Sequence, residues 1–302
     1  MQMPDTLAQT IRSVYGEEGE AWLAAFPSLV QKCESKWSLR LEEPTFPLSF
    51  NFVAPVRFED GREAVLKLCV PSKESRSEIA ALRWFDGKGA VRLLEAEPDE
   101  GILLMERVRP GLTLHTVRDE ESAVKAAAEV MAKLHGTAPA KTDSLLTVEG
   151  WFGGYARLRD RFDGGTGPLP EQSVRLAEER YEALRENPTP HYLLHGDLHH
   201  GNLLSADREP WLAIDPKGVI GEAEYEPCSF LMNAIDESDP LEQIRRRVAL
   251  FSESLGLDPR RILQWAYCHA VLSAWWCIED GVGGADRQIG LAVHMNEALE
   301  TL

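Results

Sequence analysis

Hydrophobic positions follow two different rhythms along the chain. At the start they recur at helical spacing: Leu7, Ile11 and Val14 share a face, and Gly16 ends that run. Trp22, Leu23, Phe26, Leu29 and Val30 then predict a second helix from Glu17 to about Trp37. Between Phe50 and Cys69 the rhythm changes. Two short apolar runs, Phe50 to Phe58 and Glu63 to Cys69, flank Glu59-Asp60-Gly61-Arg62, and Asp-Gly between strand-like runs predicts a hairpin. Ser75 to Phe85 returns to helical spacing, with Ile79, Leu82 and Phe85 on one stripe. Val91 to Leu94 and Gly101 to Met105 read as two further short strands.

After Glu106-Arg107-Val108-Arg109-Pro110-Gly111 long helical patterns dominate, because Pro110-Gly111 breaks the strand. Glu121 to His135 carries Val124, Ala127, Ala128, Met131 and Leu134, with Gly136 where a C-terminal cap belongs. Ser173 to Glu186 ends at Asn187-Pro188, and Leu241 to Leu255 ends at Gly256. Asp258-Pro259 starts another helix with an N-cap and a first-turn proline. The expected fold class is therefore α+β in two lobes. A small antiparallel sheet lobe with one main helix spans 1–105, with N-terminal helices within 1–40; 106–111 is a hinge; 112–302 is a larger, mostly helical lobe.

Composition narrows the partners. The chain of 302 residues is long enough for two lobes and a sizeable core. A formal net charge of -17 argues against a nucleic-acid or anionic-membrane surface. It favours a cationic small partner weakly, since acidic solubility accounts for it as well. No run of 18 or more apolar residues occurs, and the first residues lack a signal-peptide pattern. Cys33, Cys69, Cys228, Cys268 and Cys277 are odd in number and unpaired in spacing. A reduced, cytoplasmic protein is expected, a monomer or weak homodimer.

The chemistry concentrates in His195-Gly196-Asp197-Leu198-His199-His200-Gly201-Asn202 and Ala213-Ile214-Asp215-Pro216-Lys217-Gly218. An Asp, an Asn five residues on, and a second Asp after an apolar run are what metal-assisted phosphoryl transfer needs. Asp197 can take the proton of an acceptor hydroxyl, while Asn202 and Asp215 can hold Mg2+ on the phosphates of ATP. Protein kinases share the Asp-to-Asn spacing in H-R-D-x-x-x-x-N. Here Gly196 replaces the Arg, and Pro-Lys-Gly follows the second Asp, which points to a small-molecule acceptor. An Asp/Asn turn network is the plainer alternative, but three spaced elements agree. Zinc at His195, His199 and His200 lacks a paired Cys or an H-E-x-x-H helix.

Lys67, inside Ala64-Val65-Leu66-Lys67-Leu68-Cys69, is costly in an apolar strand unless anions meet it. Phosphate oxygens and Glu78 would do so, with Glu74 as the alternative carboxylate. Snorkelling from an edge strand would be the bland account. Backbone groups of Glu106 to Val108 can meet the adenine edge. No Gly-rich phosphate loop occurs: Pro44 to Asn51 contains no Gly, and only Ser49 and Asn51 could contribute contacts there. For the acceptor, Trp275 with Glu279 and Trp276 with Asp280 are i,i+4 pairs suited to a cationic, polyhydroxylated ligand, unless the tryptophans are simply core. Glu222, Glu224, Glu226, Asp236 and Glu237 add negative charge, some of it only surface.

His195-Gly-Asp-x-x-x-x-Asn202, Ile214-Asp215-Pro216-Lys217-Gly218 and Val65-Leu66-Lys67 resemble the aminoglycoside phosphotransferases, in particular the streptomycin 6-kinase and hydroxyurea resistance kinase branch. Trp22-Leu23, Pro27-Ser28-Leu29 and Gly89-Ala90-Val91-Arg92-Leu93-Leu94 extend the likeness from about Glu20 to about Leu231. The resemblance implies a protein-kinase-like fold and ATP- and Mg2+-dependent phosphorylation of a small-molecule hydroxyl, for example on streptomycin. It implies Asp197 as the catalytic Asp, Asn202 and Asp215 as magnesium ligands, Lys67 as the phosphate-binding Lys and Glu78 as its partner. Glu226 stands where the family often has Asp, and is a substrate-side candidate with Trp275 and Glu279. Alternatives are a metabolic kinase of an amino alcohol, fructosamine or sugar, or a silent nucleotide-binding protein. A protein kinase is disfavoured by the missing activation segment and Ala-Pro-Glu.

Overall fold

The protein is described by a computed structural model covering residues 3–44, 48, 50–136 and 143–302. The chain opens with α1 (Asp5–Trp37), whose helical hydrogen bonding continues past Gly16 although that residue is non-helical (φ 53, ψ -125). The two predicted helices are thus two arms joined at a kink. Beyond α1 come β1 (Leu39–Leu41), β2 (Phe52–Phe58), β3 (Glu63–Leu68), α2 (Lys73–Phe85), β4 (Leu93–Glu97) and β5 (Ile102–Glu106). The five strands form one antiparallel sheet in the order β1-β2-β3-β5-β4. The Asp60-Gly61 hairpin forms as expected, with Gly61 at φ 88 and Phe58 N–H donating to Arg62 O.

Period-two alternation in β3 explains the layering. Ala64, Leu66 and Leu68 join Phe52, Ala54 and Val56 in a core covered by Leu7, Ile11, Trp22, Phe26 and Val30 of α1. Val65 and Lys67 turn to the opposite face, where Leu103, Met105, Ile79 and Leu82 form a second, smaller cluster under α2. Helix α2 starts two residues earlier than expected because Ser72 and Ser75 form a reciprocal capping box. The strand expected at Val91 to Leu94 begins at Leu93 instead. Ala90 bridges Ala213 of the second lobe, and Val91 N–H donates to Ala213 O at 2.9 Å.

The second lobe contains β6 (Pro110–Thr113), α3 (Glu120–Leu134), β7 (Leu146–Thr147), α4 (Val148–Phe152), α5 (Gly154–Arg161), α6 (Glu171–Glu186) and β8 (His191–Leu194). It continues through β9 (Leu203–Ala206), β10 (Trp211–Ala213), β11 (Val219–Glu222), α7 (Cys228–Met232), α8 (Pro240–Leu255), α9 (Pro259–Glu279) and α10 (Ala285–Glu300). Two three-stranded sheets, β10-β9-β6 and β7-β11-β8, present the loops that carry the Asp197 and Asp215 motifs. Their apolar residues sink into one large core with α3, α6 and α9, and Ala81 and Phe85 of α2 enter the same core. Gly256 ends α8 at φ 69, and the Asp258 side chain caps α9, as the local signals required. Helix α3 instead closes on His135, not on a left-handed Gly136. Among the described residues no helix is long and apolar enough to cross a membrane.

Burial makes this core sensitive to acid. His269 on α9 is 6% exposed, and its Nδ1 lies 2.5 Å from the Tyr225 hydroxyl. Burial lowers its pKa to about 4, and that of His200 to about 3. The unfolded chain protonates these rings near 6.5. The folded state therefore holds fewer protons, and stability is lost as pH falls below about 6.5. His269→Gln keeps a partner for Tyr225 without the titration. Urea unfolding at about pH 7 and about pH 5.5 should show the acid-induced loss reduced by about 1 kcal/mol in this variant. An unchanged pH slope would remove His269 from the account.

Candidate active site

Strand β8 delivers His195, Gly196 and Asp197 to the cleft between the lobes. Gly196 has φ 83, and a Cβ there would lie 2.7 Å from Val219 Cγ1 and 3.0 Å from the Trp151 ring, so only glycine fits. His195 is fully buried. Its Nε2 donates to Ile214 O at 2.8 Å, and its Nδ1 accepts from Asp197 N–H at 3.2 Å. Burial lowers its pKa, so the neutral ring is a brace joining the two motifs. Glu226 completes the frame. Its carboxylate, 1% exposed, accepts from His195 N–H at 2.8 Å and Gly196 N–H at 2.9 Å, with His135 Nε2 at 3.3 Å. Burial would raise its pKa, but His135, His195 and the amides reverse this and keep it ionised.

Asp197 itself is half-buried, with His199 Nε2 3.9 Å from its Oδ2. Asn202 donates through Nδ2 to Asp197 O at 2.9 Å, which commits its amide nitrogen and leaves its side-chain oxygen as the available donor to a cation. Ile214 N–H donates to Asn202 O at 2.9 Å, so the metal candidates Asn202 and Asp215 stand on directly bonded backbone. Asp215 adopts φ 59, uncommon for a non-glycine residue.

Lys67 is 4% exposed and donates to both Glu78 oxygens at 2.8 Å. It also pairs with Asp215 across the cleft. Burial alone would lower the lysine pKa, but Asp215 and then Glu78 outweigh it and hold it well above the ordinary value. Lys67 likewise holds the Asp215 carboxylate well below the usual range. Burial pushes Glu78 up to about 7 against the pull of Lys67. One ionised carboxylate and one neutral amide oxygen form a hard donor set that suits Mg2+. Among the described residues no group of three or more His, Cys, Asp or Glu could hold a metal by itself. A cation at Asn202 and Asp215 would therefore need phosphate oxygens and water for its other ligands.

At the other end of the cleft, Val65, Val108 and Ile214 are half-buried apolar side chains packed on the cluster beneath α2. The Glu106 side chain accepts from Arg92 N–H at 2.9 Å and from Arg208 Nε at 3.0 Å, so it braces the hinge from behind. Its backbone N–H donates to Arg92 O at 3.0 Å as well. Arg208 also donates to Gly87 O and Ala90 O, both at 2.6 Å, and locks the two lobes together. Nothing local in Asp207-Arg208-Glu209 signals this role.

Three acceptor-side expectations change. Glu226 is the buried carboxylate beneath the catalytic loop, inaccessible to a ligand. Trp275 is 1% exposed and packs on Phe162 in the core, as an apolar ring on the inner face of α9 must. Glu279 is exposed but engaged by Arg157 at 2.8 and 3.1 Å. Trp151 abuts Gly196, the residue before Asp197, and its ring centroid lies 5.8 Å from that of Trp276 and 6.0 Å from that of the buried Tyr225. Trp151 had no periodic partner by which to be found. Glu74, the alternative partner for Lys67, instead pairs with Lys217. Ser49 lies outside the described residues.

Because Glu226 satisfies two buried amides, Glu226→Gln should leave at least one unpaired. Urea unfolding should show a loss of about 1–3 kcal/mol, with turnover reduced in the folded fraction. Unchanged stability would mean that the loop is held by its other contacts.

The pattern of the aminoglycoside/hydroxyurea antibiotic resistance kinase family matches residues 43–281. A streptomycin 6-kinase from Streptomyces glaucescens is 34% identical over 306 aligned positions, covering 99% of this chain and 97% of that protein. A hydroxyurea phosphotransferase from Kitasatospora aureofaciens is 33% identical, covering 97% and 85% respectively. Among solved structures, a thermostable mutant of an aminoglycoside phosphotransferase superposes with a TM-score of 0.64 at 16% identity, covering 90% of this chain and 98% of that chain. A choline kinase from Streptococcus pneumoniae gives 0.65 at 11% identity, covering 92% and 100%. These two share the protein-kinase-like fold. The chain therefore belongs to the aminoglycoside/hydroxyurea antibiotic resistance kinase family and is a small-molecule phosphotransferase.

Proposed function

We propose that the protein transfers the γ-phosphoryl group of Mg2+-bound ATP to a hydroxyl of a cationic, polyhydroxylated small molecule such as streptomycin, with Asp197 as the base. The carrying observation is the Lys67–Glu78–Asp215 group, fixed in one cleft with Asp197 and Asn202. ATP enters with its base against the apolar side chains of Val65, Val108 and Ile214, reaching the Glu106 carbonyl and the Val108 backbone. Its phosphates replace Asp215 on Lys67. Asn202 and Asp215 would hold Mg2+, which would neutralise phosphate charge. Asp197 orients the acceptor hydroxyl and receives its proton as the new O–P bond forms. Positioning and charge stabilisation supply most of the rate.

The acceptor fits the side of the cleft marked by Trp151 and Trp276. Both rings are half-buried, so each offers a face to a cation while anchored in the core. Asp280, exposed at the end of α9, supplies negative charge. Burial, then Glu279 and Glu74, raise its pKa, as expected where acidic groups gather. The streptomycin 6-kinase relatives support this acceptor class.

A coupled ADP-release assay with streptomycin, other aminoglycosides, hydroxyurea, choline, fructosamines and sugars tests the reading. Acceptor-dependent release by the wild type is expected, and Asp197→Ala should lower it about 100-fold or more with ADP affinity kept within about threefold. Near-normal turnover in that variant would refute the base assignment. Asp215→Ala should weaken Mg2+–ADP binding about tenfold or more, measured by calorimetry. Unchanged affinity would count against its metal role.

A further inference from the structure

Lys217 is the third residue of Asp215-Pro216-Lys217, two positions beyond the candidate metal ligand. Its placement is specific. Lys217 N–H donates to His195 O at 2.8 Å, and a Cβ on Gly196 would sit 3.4 Å from Lys217 Cβ. The lysine stem therefore runs beside the residue that precedes Asp197. Its ammonium crosses the cleft to Glu74 at the start of α2. Gly218 reinforces this approach. Its carbonyl accepts from the buried Ser77 hydroxyl at 2.6 Å, and a Cβ there would strike Ser77 O at 2.6 Å. The segment carrying Lys217 is pinned against α2.

Charge balance gives the lysine work to do. Glu74, Glu78, Asp197 and Asp215 surround the place where phosphates must sit. Among the described residues, Lys67 and Lys217 are the only lysines or arginines ion-paired with these four carboxylates. Lys67 is bidentate on Glu78, and so can turn only part of its ammonium to a ligand. The stretch Pro44 to Asn51 has no glycine with which to wrap a phosphate in backbone amides. A second cation beside Asp197 is a further group able to meet phosphate charge.

We propose that Lys217 is a catalytic residue that leaves Glu74 to bind the γ-phosphoryl group of ATP and stabilises its charge during transfer. The inference rests on the ATP-dependent reading given above. In the step, the acceptor oxygen lone pair forms the new O–P bond. The β,γ-bridging O–P bond breaks, its electron pair stays on ADP, and the acceptor proton goes to Asp197. Lys217 donates hydrogen bonds only and surrenders no proton.

Calorimetry with Mg2+–ADP and with Mg2+–β,γ-imido-ATP separates the γ-phosphate contact from nucleotide binding in general. Lys217→Met should weaken the imido analogue by about tenfold or more while leaving ADP within about threefold. With an acceptor that the wild type turns over, kcat should fall by about 100-fold or more, and Lys217→Arg should recover part of it. Glu74→Gln breaks the same ion pair and keeps the lysine, so both nucleotides should bind within about threefold of wild type. Equal effects of Lys217→Met on both nucleotides, or no effect on either, overturn the proposal. So does an equal loss in Glu74→Gln, which would make the pair an interlobe clasp. Failure of the wild type to bind either nucleotide would overturn the ATP reading itself. A silent Lys217→Met beside an inactive Asp197→Ala would sink only this inference.

Discussion

A charged lysine in an apolar strand is the constraint around which the two lobes are arranged. Lys67 is 4% exposed, on the face of β3 that looks into the cleft. An isolated ammonium there would cost several kcal/mol of lost hydration. Two carboxylates answer it from different parts of the fold: Glu78 from α2 and Asp215 from the loop after β10. The requirement thus couples the sheet, the helix above it and the catalytic loops below. It also leaves the site anionic before any ligand arrives, which suits magnesium and a cationic acceptor.

The helix that carries Glu78 is held by the second lobe as much as by the first. Ser77 bonds Gly218 O and accepts from Leu146 N–H at 2.9 Å, and Glu74 meets Lys217. Ala81 and Phe85 lie in the core of the helical lobe. Behind the hinge, Arg208 ties Glu106 to the carbonyls of Gly87 and Ala90. Apart from the exposed Glu74–Lys217 pair, these contacts are buried or half-buried. Such a frame holds the Lys67–Glu78 pair from both lobes.

The catalytic loop shows the same logic on a smaller scale. Gly196 and Asp215 both hold positive φ, a conformation that is free for glycine and uncommon for Asp215. The neutral His195 ring links one to the other, and the ionised Glu226 caps the amides of the turn. Polar groups that a ligand might have used are thereby spent on geometry. This explains why Glu226, acidic and close in sequence to the motif, lies underneath the site and not in it.

Much of this was legible from the chain alone. The strand hairpin at Asp60-Gly61 and the caps at Gly256 and Asp258 follow from local backbone preferences that no distant contact overrides. Asp197, Asn202 and Asp215 stand out by their spacing because one loop and one strand hairpin hold all three. The acceptor side was not legible in the same way. Trp275 and Trp276 are adjacent and chemically identical, and only the packing of α9 buries the first and leaves the second beside Trp151. Arg208 and Lys217 find their partners more than a hundred residues away. The sequence by itself determined many of the elements, the charge and the candidate groups of the site, since these depend on neighbours within a few residues. Which carboxylate meets which cation, and which aromatic ring faces the cleft, was decided by the tertiary structure, because burial and ion pairing depend on what the rest of the chain brings alongside.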